Sequence, residues 1–154
     1  MKNLNVTINF DMDGTFVDLY GVENWLDYLV NEDTTPYEIA KPLVNLSVFA
    51  RMVNRLQKEG WEIGVITWLS KNATNDYNRK VAKAKREWLA KYNFPFDEIH
   101  LVAYGTTKAN CTRKNGGYQV LVDDNAEVRK GWHLGNTINA NENILEELKK
   151  LLDF

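Results

Sequence analysis

The sequence lacks the features that mark a protein for export or for a membrane. Its 154 residues include one cysteine, Cys111, so no disulfide can form within the chain, which fits a reducing compartment. No apolar run approaches the roughly 20 residues that are needed to span a bilayer. The first residues lead into a strand pattern without a secretory signal, so we expect a cytoplasmic protein.

An excess of charge of either sign is also missing. Nineteen Lys and Arg residues stand against twenty-one Asp and Glu residues, which gives a formal net charge of −2. This near balance excludes a bulk electrostatic attraction to nucleic acid or to an anionic membrane. The length and the apolar fraction of 44% predict a single globular domain over 1–154 with a sizeable core.

Residues 4–18 are the most informative stretch of the chain. The first half alternates apolar and polar residues, many of them β-branched, and this pattern predicts a strand. The strand runs into Asp11-Met12-Asp13-Gly14-Thr15, where a period of two places Asp11 and Asp13 on one side. Two carboxylates at the end of a buried strand are costly unless something neutralises them, and a divalent cation is the simplest partner.

Patterns of strand and helix alternate along the rest of the chain. Further strands are predicted at 61–67, 98–104, 118–124 and 136–140. Helices are predicted at 22–30, about 45–59, from the mid-70s to about 92, 125–131 and near the carboxyl terminus, and residues 115–117 predict a turn. This alternation indicates a doubly wound, mainly parallel, Rossmann-like α/β sheet, in which a site forms beyond the carboxyl ends of the strands.

Polar residues of related chemistry lie at the ends of three predicted strands and at the start of one short helix. In chain order they are Asp11, Asp13, Thr67, Lys108, Asp123 and Asp124. In this order and on these elements, they resemble the four signature motifs of the haloacid dehalogenase-like (HAD) phosphohydrolases. The resemblance spans residues 11–124 and implies a HAD-like fold and a phosphomonoesterase.

The resemblance also implies a role for each residue. Asp11 would attack phosphorus and become an aspartyl phosphate, while Asp13 would protonate the leaving oxygen and later activate water. Thr67 would hydrogen-bond a phosphoryl oxygen, and Lys108 would neutralise charge on the phosphoryl group and on Asp11. Trp68, which follows Thr67, could line the substrate pocket or be an aromatic in a half-buried turn.

A magnesium ion is the implied cofactor, because hard cations prefer oxygen ligands. Its implied ligands are Asp11, the backbone carbonyl of Asp13, and the Asp123-Asp124 pair. The resemblance favours Asp124 as the direct ligand, with Asp123 on Lys108 or on a metal-bound water. Both acids could cap the helix that follows them, either instead of binding the metal or as well as binding it, and Thr67 could be an ordinary strand threonine.

The long helix and the loop before it carry an excess of basic residues. They are Lys71, Arg79, Lys80, Lys83, Lys85, Arg86 and Lys91, against Asp76 and Glu87. Such a helix could contact a polynucleotide or a phosphorylated protein, but it is more often a solvated face. We interpret it as a solvated face.

Residues of about 16–44 predict a very small cap inserted after strand one, with Phe16, Tyr20, Trp25 and Tyr37 available to cover a flat group. This layout is loosely similar to that of 5'(3')-deoxyribonucleotidases. The expected substrate is a small phosphorylated metabolite, with nucleotides as candidates. Alternatives are a macromolecular substrate, such as a nucleic-acid end or a phosphoprotein, and a phosphate-binding domain without turnover.

Overall fold

The computed structural model describes residues 6–112 and 117–152, so most of the turn predicted at 115–117 lies outside the described residues. The elements in chain order are β1 (Val6–Phe10), β2 (Val17–Asp18), α1 (Trp25–Val30), α2 (Thr35–Ile39), β3 (Lys41–Pro42), α3 (Leu46–Lys58), β4 (Trp61–Trp68), α4 (Asn75–Lys91), β5 (Glu98–Val102), a 3-10 turn (Lys108–Asn110), β6 (Tyr118–Asp123), α5 (Ala126–Lys130), β7 (Thr137–Asn139) and α6 (Ile144–Leu152). None of the described helices is long and apolar enough to cross a membrane.

Five strands form one parallel sheet in the order β5-β4-β1-β6-β7. The central strand β1 pairs on one side with β4 and on the other with β6, so that Ile8 lies between Ile63 and Val120. The chain passes from β1 to one neighbour and returns later to the other. The carboxyl end of β1 is therefore the point where the winding reverses, and a crevice forms there. The structure confirms the predicted α/β fold class.

Aromatic rings dominate the main core. Phe16 is 0% exposed and stacks on Phe94 with ring centres 4.7 Å apart and an interplanar angle of 9°. Phe10 and Phe49 pack against the same pair. The prediction that Phe16 is available to cover a substrate is therefore wrong, because its apolar ring is more stable in this cluster than in water.

Residues 17–42 form a small unit beside the sheet. The strands β2 and β3 pair antiparallel, with Val17 opposite Pro42, and the helices α1 and α2 lie between them in the chain. The sequence pattern does not predict β2, β3 or α2. Pro36 predicts only a break, but it lies in the first turn of α2, where a missing backbone N–H costs little.

Hydrogen bonds fasten this small unit to α4. The indole of Trp88 donates to the carbonyl of Ala40 at 2.8 Å, and the hydroxyl of Tyr77 donates to the carbonyl of Asp33 at 2.8 Å. The short helix α1 is different, because none of its residues is buried. Its Leu29 packs against the buried cluster that contains Tyr37 and Tyr77, but Leu26 and Val30 are 56% and 73% exposed, so only part of the apolar face of α1 contributes to the core.

Candidate active site

Two neighbouring strands bring three carboxylates together at the carboxyl edge of the sheet. Asp11 directly follows β1, and its backbone N–H donates to the carbonyl of Val122 in β6 at 3.0 Å. Asp123 ends β6 and Asp124 follows it. One oxygen from each of Asp11, Asp123 and Asp124 lies within 4.8 Å of the others. The parallel pairing of β1 with β6 is what makes residues 112 positions apart in the sequence neighbours in space.

Gly14 allows the chain to turn tightly under this cluster. Its φ is +83°. The backbone amides of residues 15, 16 and 17 donate hydrogen bonds to the carbonyl of Met12 and so close the turn. A Cβ on Gly14 would overlap the carboxylate of Asp124. Glycine is therefore required both for the backbone conformation and for the space that Asp124 occupies.

Lys108 lies between two of the acids. Its Nζ donates to Asp11 Oδ1 at 2.9 Å and to Asp123 Oδ2 at 2.7 Å, and the side chain is buried. Burial disfavours the charged amine, but the attraction of Asp11 and Asp123 outweighs it and raises the pKa of Lys108. Lys108 thus stays positively charged beside Asp11, where the sequence analysis expected it to be.

Among the described residues, the carboxylates at this edge outnumber the amines that pair with them. Burial, and then the charge of Asp11, raise the pKa of Asp124 to about 7, and the same two causes raise the pKa of Asp123. In the part of the chain that the structure describes, the acids Asp11, Asp13 and Asp123 form ion pairs with two amines, those of Lys85 and Lys108, and Asp124 is the fourth acid of the site. A site with two uncompensated carboxylates and clustered oxygen donors fits a divalent cation such as Mg²⁺.

Asp123 and Asp124 use their side chains differently. The carboxylate of Asp123 accepts from Lys108 through Oδ2 and from the amide of Asn125 through Oδ1 at 3.0 Å. The cap of α5 is Asn125, which accepts from the amides of Glu127 and Val128. The alternative in which either acid caps α5 is therefore wrong. Both acids line the cavity, but Asp123 is held by Lys108 and by the amide of Asn125, whereas Asp124 accepts from Thr15 Oγ1 at the longer distance of 3.5 Å, so Asp124 is the more weakly held of the two.

Asp13 contacts a lysine that the sequence analysis did not single out. Lys85 in α4 is 1% exposed, and its Nζ donates to Asp13 Oδ2 at 2.8 Å. The same Nζ donates to Thr67 Oγ1 at 2.6 Å and to the carbonyl of Trp68 at 2.8 Å. For Asp13, burial outweighs the attraction of Lys85, and the pKa of its carboxyl is raised.

Lys85 corrects the interpretation of α4 as a solvated basic face. Arg79, Lys80 and Lys83 are exposed and pair with Asp76 or Glu87 on the same helix, as a solvated face would. Lys85 instead belongs to the buried stripe of α4, four residues after Val81 and three before Trp88. That spacing was the available signal, since residues four and three positions apart share one side of a helix.

Thr67 ends up away from the cavity wall. It is 1% exposed, its hydroxyl accepts from Lys85, and it is absent from the described residues that line the cavity. The contact with a phosphoryl oxygen expected of Thr67 stays a prediction. Trp68 does line the cavity, and its indole N–H donates to the carbonyl of Thr106 at 2.9 Å, which fixes the ring beside Lys108.

A cavity of about 540 Å³ opens over the carboxylates. Its polar end is formed by Asp11, Asp13, Lys108, Asp123 and Asp124, and much of its remaining wall is apolar or aromatic. In the described part of the chain, seven large apolar or aromatic side chains are exposed, and four of them line this cavity: Tyr20, Leu26, Val30 and Tyr104. Concentrated exposure of this kind is typical of a binding surface.

Comparisons with solved structures identify similar folds. The chain is similar over 96% of its length to 99% of D,D-heptose 1,7-bisphosphate phosphatase from Burkholderia thailandensis, with a TM-score of 0.58 and 10% identity. It is also similar, over 90% of its length, to a chain of the Pnkp1/Rnl/Hen1 RNA repair complex, with a TM-score of 0.55 and 20% identity. The match covers 44% of that repair-complex chain. No protein-family model and no curated protein matches the sequence. At these identities the likeness establishes a shared α/β fold.

Proposed function

We propose that the protein is a magnesium-dependent phosphomonoesterase that works through an aspartyl phosphate on Asp11. The observation that carries the proposal is the position of Asp11. Its carboxylate lines the cavity, accepts from the charged Lys108, and lies beside Asp123 and Asp124. The likeness in fold to a sugar bisphosphate phosphatase supports the same conclusion.

The residues divide the reaction between them. An oxygen of Asp11 forms a bond to phosphorus while the bond from phosphorus to the leaving oxygen breaks, and Asp13 donates a proton to that oxygen. Asp13 then takes a proton from a water molecule that attacks the phosphoryl group, which releases phosphate and restores Asp11. Lys108 holds Asp11 in place and offsets charge that develops on the phosphoryl oxygens.

Magnesium would be held by Asp11, Asp124 and the backbone carbonyl of Asp13, with Asp123 supporting the site through Lys108. When bound, it supplies positive charge that lets the anionic Asp11 approach an anionic phosphate ester.

Removal of magnesium should abolish turnover. Purified protein should hydrolyse 4-nitrophenyl phosphate in the presence of Mg²⁺, lose this activity in excess chelator, and regain it when Mg²⁺ is added back. Binding of Mg²⁺, measured by calorimetry, should weaken as the pH falls from 8 to 6. The reason is that protons compete for Asp124, whose pKa is raised to about 7 in the metal-free protein.

An Asp124→Asn variant is the control for this prediction. It should bind Mg²⁺ weakly at both pH values, because a neutral amide is a weaker ligand than a carboxylate and does not ionise between pH 6 and 8. Equal turnover with and without excess chelator would contradict the metal assignment.

Residues 17–42 would act as the small cap. The cavity wall that they share with the end of β4 and with the loops after β4 and β5 indicates the kind of leaving group. Tyr20 and Trp25 form one edge-on pair with ring centres 5.0 Å apart, and Trp68 and Tyr104 form a second pair at 4.9 Å. Aromatic rings suit a planar leaving group. We therefore favour nucleotides over small polar sugars as substrates.

A phosphorylated nucleic-acid end is the second candidate. Lys71 lines the cavity with its Nζ 5.7 Å from the centre of the exposed Tyr104 ring, which combines a stacking surface with a positive charge. A chain in an RNA repair complex shares the fold.

Tyr104→Ala should distinguish these substrates from sugar phosphates. We expect it to raise the Michaelis constant for a nucleoside monophosphate about tenfold, since stacking of one base contributes about 1–3 kcal/mol. It should leave the Michaelis constant for glycerol phosphate unchanged. Tyr118→Ala is the matched control, because Tyr118 is also exposed but lies outside the cavity lining.

A further variant separates free nucleotides from nucleic-acid ends. If nucleic-acid ends are the substrate, Lys71→Glu should raise the Michaelis constant for a 5'-phosphorylated oligonucleotide and not for a free nucleotide. Arg79→Glu with Lys83→Glu should leave the Michaelis constants for both substrates unchanged.

If Tyr104→Ala raises the Michaelis constant equally for all phosphate esters, the aromatic wall does not bind the leaving group.

A further inference from the structure

We propose that Lys85 is a positioning residue that holds the carboxylate of Asp13 where it can exchange protons with the leaving group and with water. This inference rests on the proposed phosphomonoesterase activity and adds a residue that none of the predicted motifs contains.

The contacts of Lys85 account for all of its donors. A lysine ammonium group has three N–H bonds, and the three acceptors are Asp13 Oδ2, Thr67 Oγ1 and the carbonyl of Trp68. Two of these acceptors belong to the end of β4, so Lys85 connects Asp13 to a rigid strand of the sheet. A buried charge is tolerated only when it is paired and fully hydrogen-bonded, and Lys85 meets both conditions.

Lys85 does not reach the cavity itself. Asp13 lines the cavity, but Lys85 is absent from the described residues that do so. The ring of Tyr37 lies over the ammonium group at 5.4 Å, and the Tyr37 hydroxyl is hydrogen-bonded to Ser70, which holds that ring in place. Any effect of Lys85 on the reaction must therefore pass through the residues that it contacts, and Asp13 is the one among them whose side chain accepts from Lys85 and lines the cavity.

The two buried lysines bind different carboxylates of the site. Lys108 binds Asp11 and Asp123, whereas Lys85 binds Asp13. This division keeps the side chain of Asp13 apart from the oxygens that would hold magnesium, because Asp13 is fixed on the α4 side. The structural role of Thr67 is then to accept one of the hydrogen bonds that hold Lys85 against the end of β4.

The test replaces Lys85 by methionine, which keeps most of the volume and removes the three donors. Activity is measured as kcat/KM, which reports formation of the aspartyl phosphate, on 4-nitrophenyl phosphate and on an alkyl phosphate. We expect a loss of about 100-fold on the alkyl phosphate, the lower end of the usual effect of general acid catalysis. On 4-nitrophenyl phosphate we expect a loss of less than about tenfold, because an activated leaving group needs little protonation.

Lys83→Met is the matched control, since Lys83 lies on the same helix but is exposed and paired with Glu87. A double-mutant cycle supplies the second test. In an Asp13→Asn background, Lys85→Met should cost almost nothing further, because both changes act on the same proton transfer.

Equal losses on both substrates, or losses that multiply in the double variant, would overturn the proposal and leave Lys85 a purely structural residue. If Lys85→Met does not fold, Thr67→Val removes one anchor and keeps the charge. It should again impair the alkyl phosphate more than the aryl phosphate, and an equal effect on the two would overturn the proposal. A parent protein that hydrolyses no phosphate ester would instead refute the proposed function.

Discussion

Replacing Asp11 with asparagine should eliminate turnover and leave the fold intact. An amide is a poor nucleophile and a weaker ligand for magnesium than a carboxylate. The hydrogen bond from the backbone N–H of residue 11 to the carbonyl of Val122 is unaffected by the change. We expect kcat on 4-nitrophenyl phosphate to fall on the order of 10⁴-fold or more, the scale of losing a covalent nucleophile. Steady-state kinetics measure the loss of turnover, and the midpoint of thermal unfolding measures whether the fold is intact.

Asp76→Asn is the control for Asp11→Asn. Asp76 is an exposed acid whose partners, Arg79 and Lys80, lie on the same helix, so its loss should leave turnover unchanged. Residual activity of Asp11→Asn above about one per cent would exceed what loss of a covalent nucleophile permits. Such a result would point to direct attack of water on the phosphate ester.

Replacing Asp13 with asparagine should separate the two halves of the reaction. The nucleophile Asp11 and the backbone carbonyl of residue 13 remain, so an activated aryl phosphate can still phosphorylate Asp11 slowly. Hydrolysis of the intermediate loses its general base and should slow by about 10²–10⁴-fold. A rapid-mixing experiment should show a burst of 4-nitrophenol that approaches one equivalent per chain, followed by slow turnover.

The parent protein is the reference for this burst, because its intermediate should be hydrolysed before it accumulates. Turnover of Asp13→Asn at the rate of the parent, without a burst, would show that Asp13 is neither the acid nor the base. The comparison also gives the scale for Lys85→Met, which should reproduce part of the effect of Asp13→Asn.

The sheet and the positions of most site residues were accessible from the sequence. Apolar strands and amphipathic helices have distinct periods, and the alternation of the two predicts a parallel sheet. Parallel strands end at one edge, so the acids after β1 and at the end of β6 had to meet there. The sequence predicts Gly14 as a turn residue, but it does not predict that Gly14 lies close to the carboxylate of Asp124.

The remaining features depend on tertiary contacts that local patterns do not contain. The spacing of Lys85 places it on the buried side of α4, but the acceptors that stabilise its buried charge, on Asp13 and at the end of β4, are tertiary contacts that the spacing does not show. Phe16 follows the first motif directly, but the stacking partner that removes it from the cavity is Phe94. The strands β2 and β3 are two residues long each, which is too short for an alternation of apolar and polar residues to be recognised.

The most direct test of the account is to locate the phosphoryl group on the protein. Asp13→Asn is mixed with 4-nitrophenyl phosphate and Mg²⁺, quenched in acid, digested at low pH and analysed by peptide mass spectrometry. We expect one acid-stable, base-labile phosphoryl group on the peptide that contains Asp11, and none when Asp11→Asn is added to the same chain. A phosphoryl group on another residue, or an unlabelled chain that continues to turn over, would contradict it.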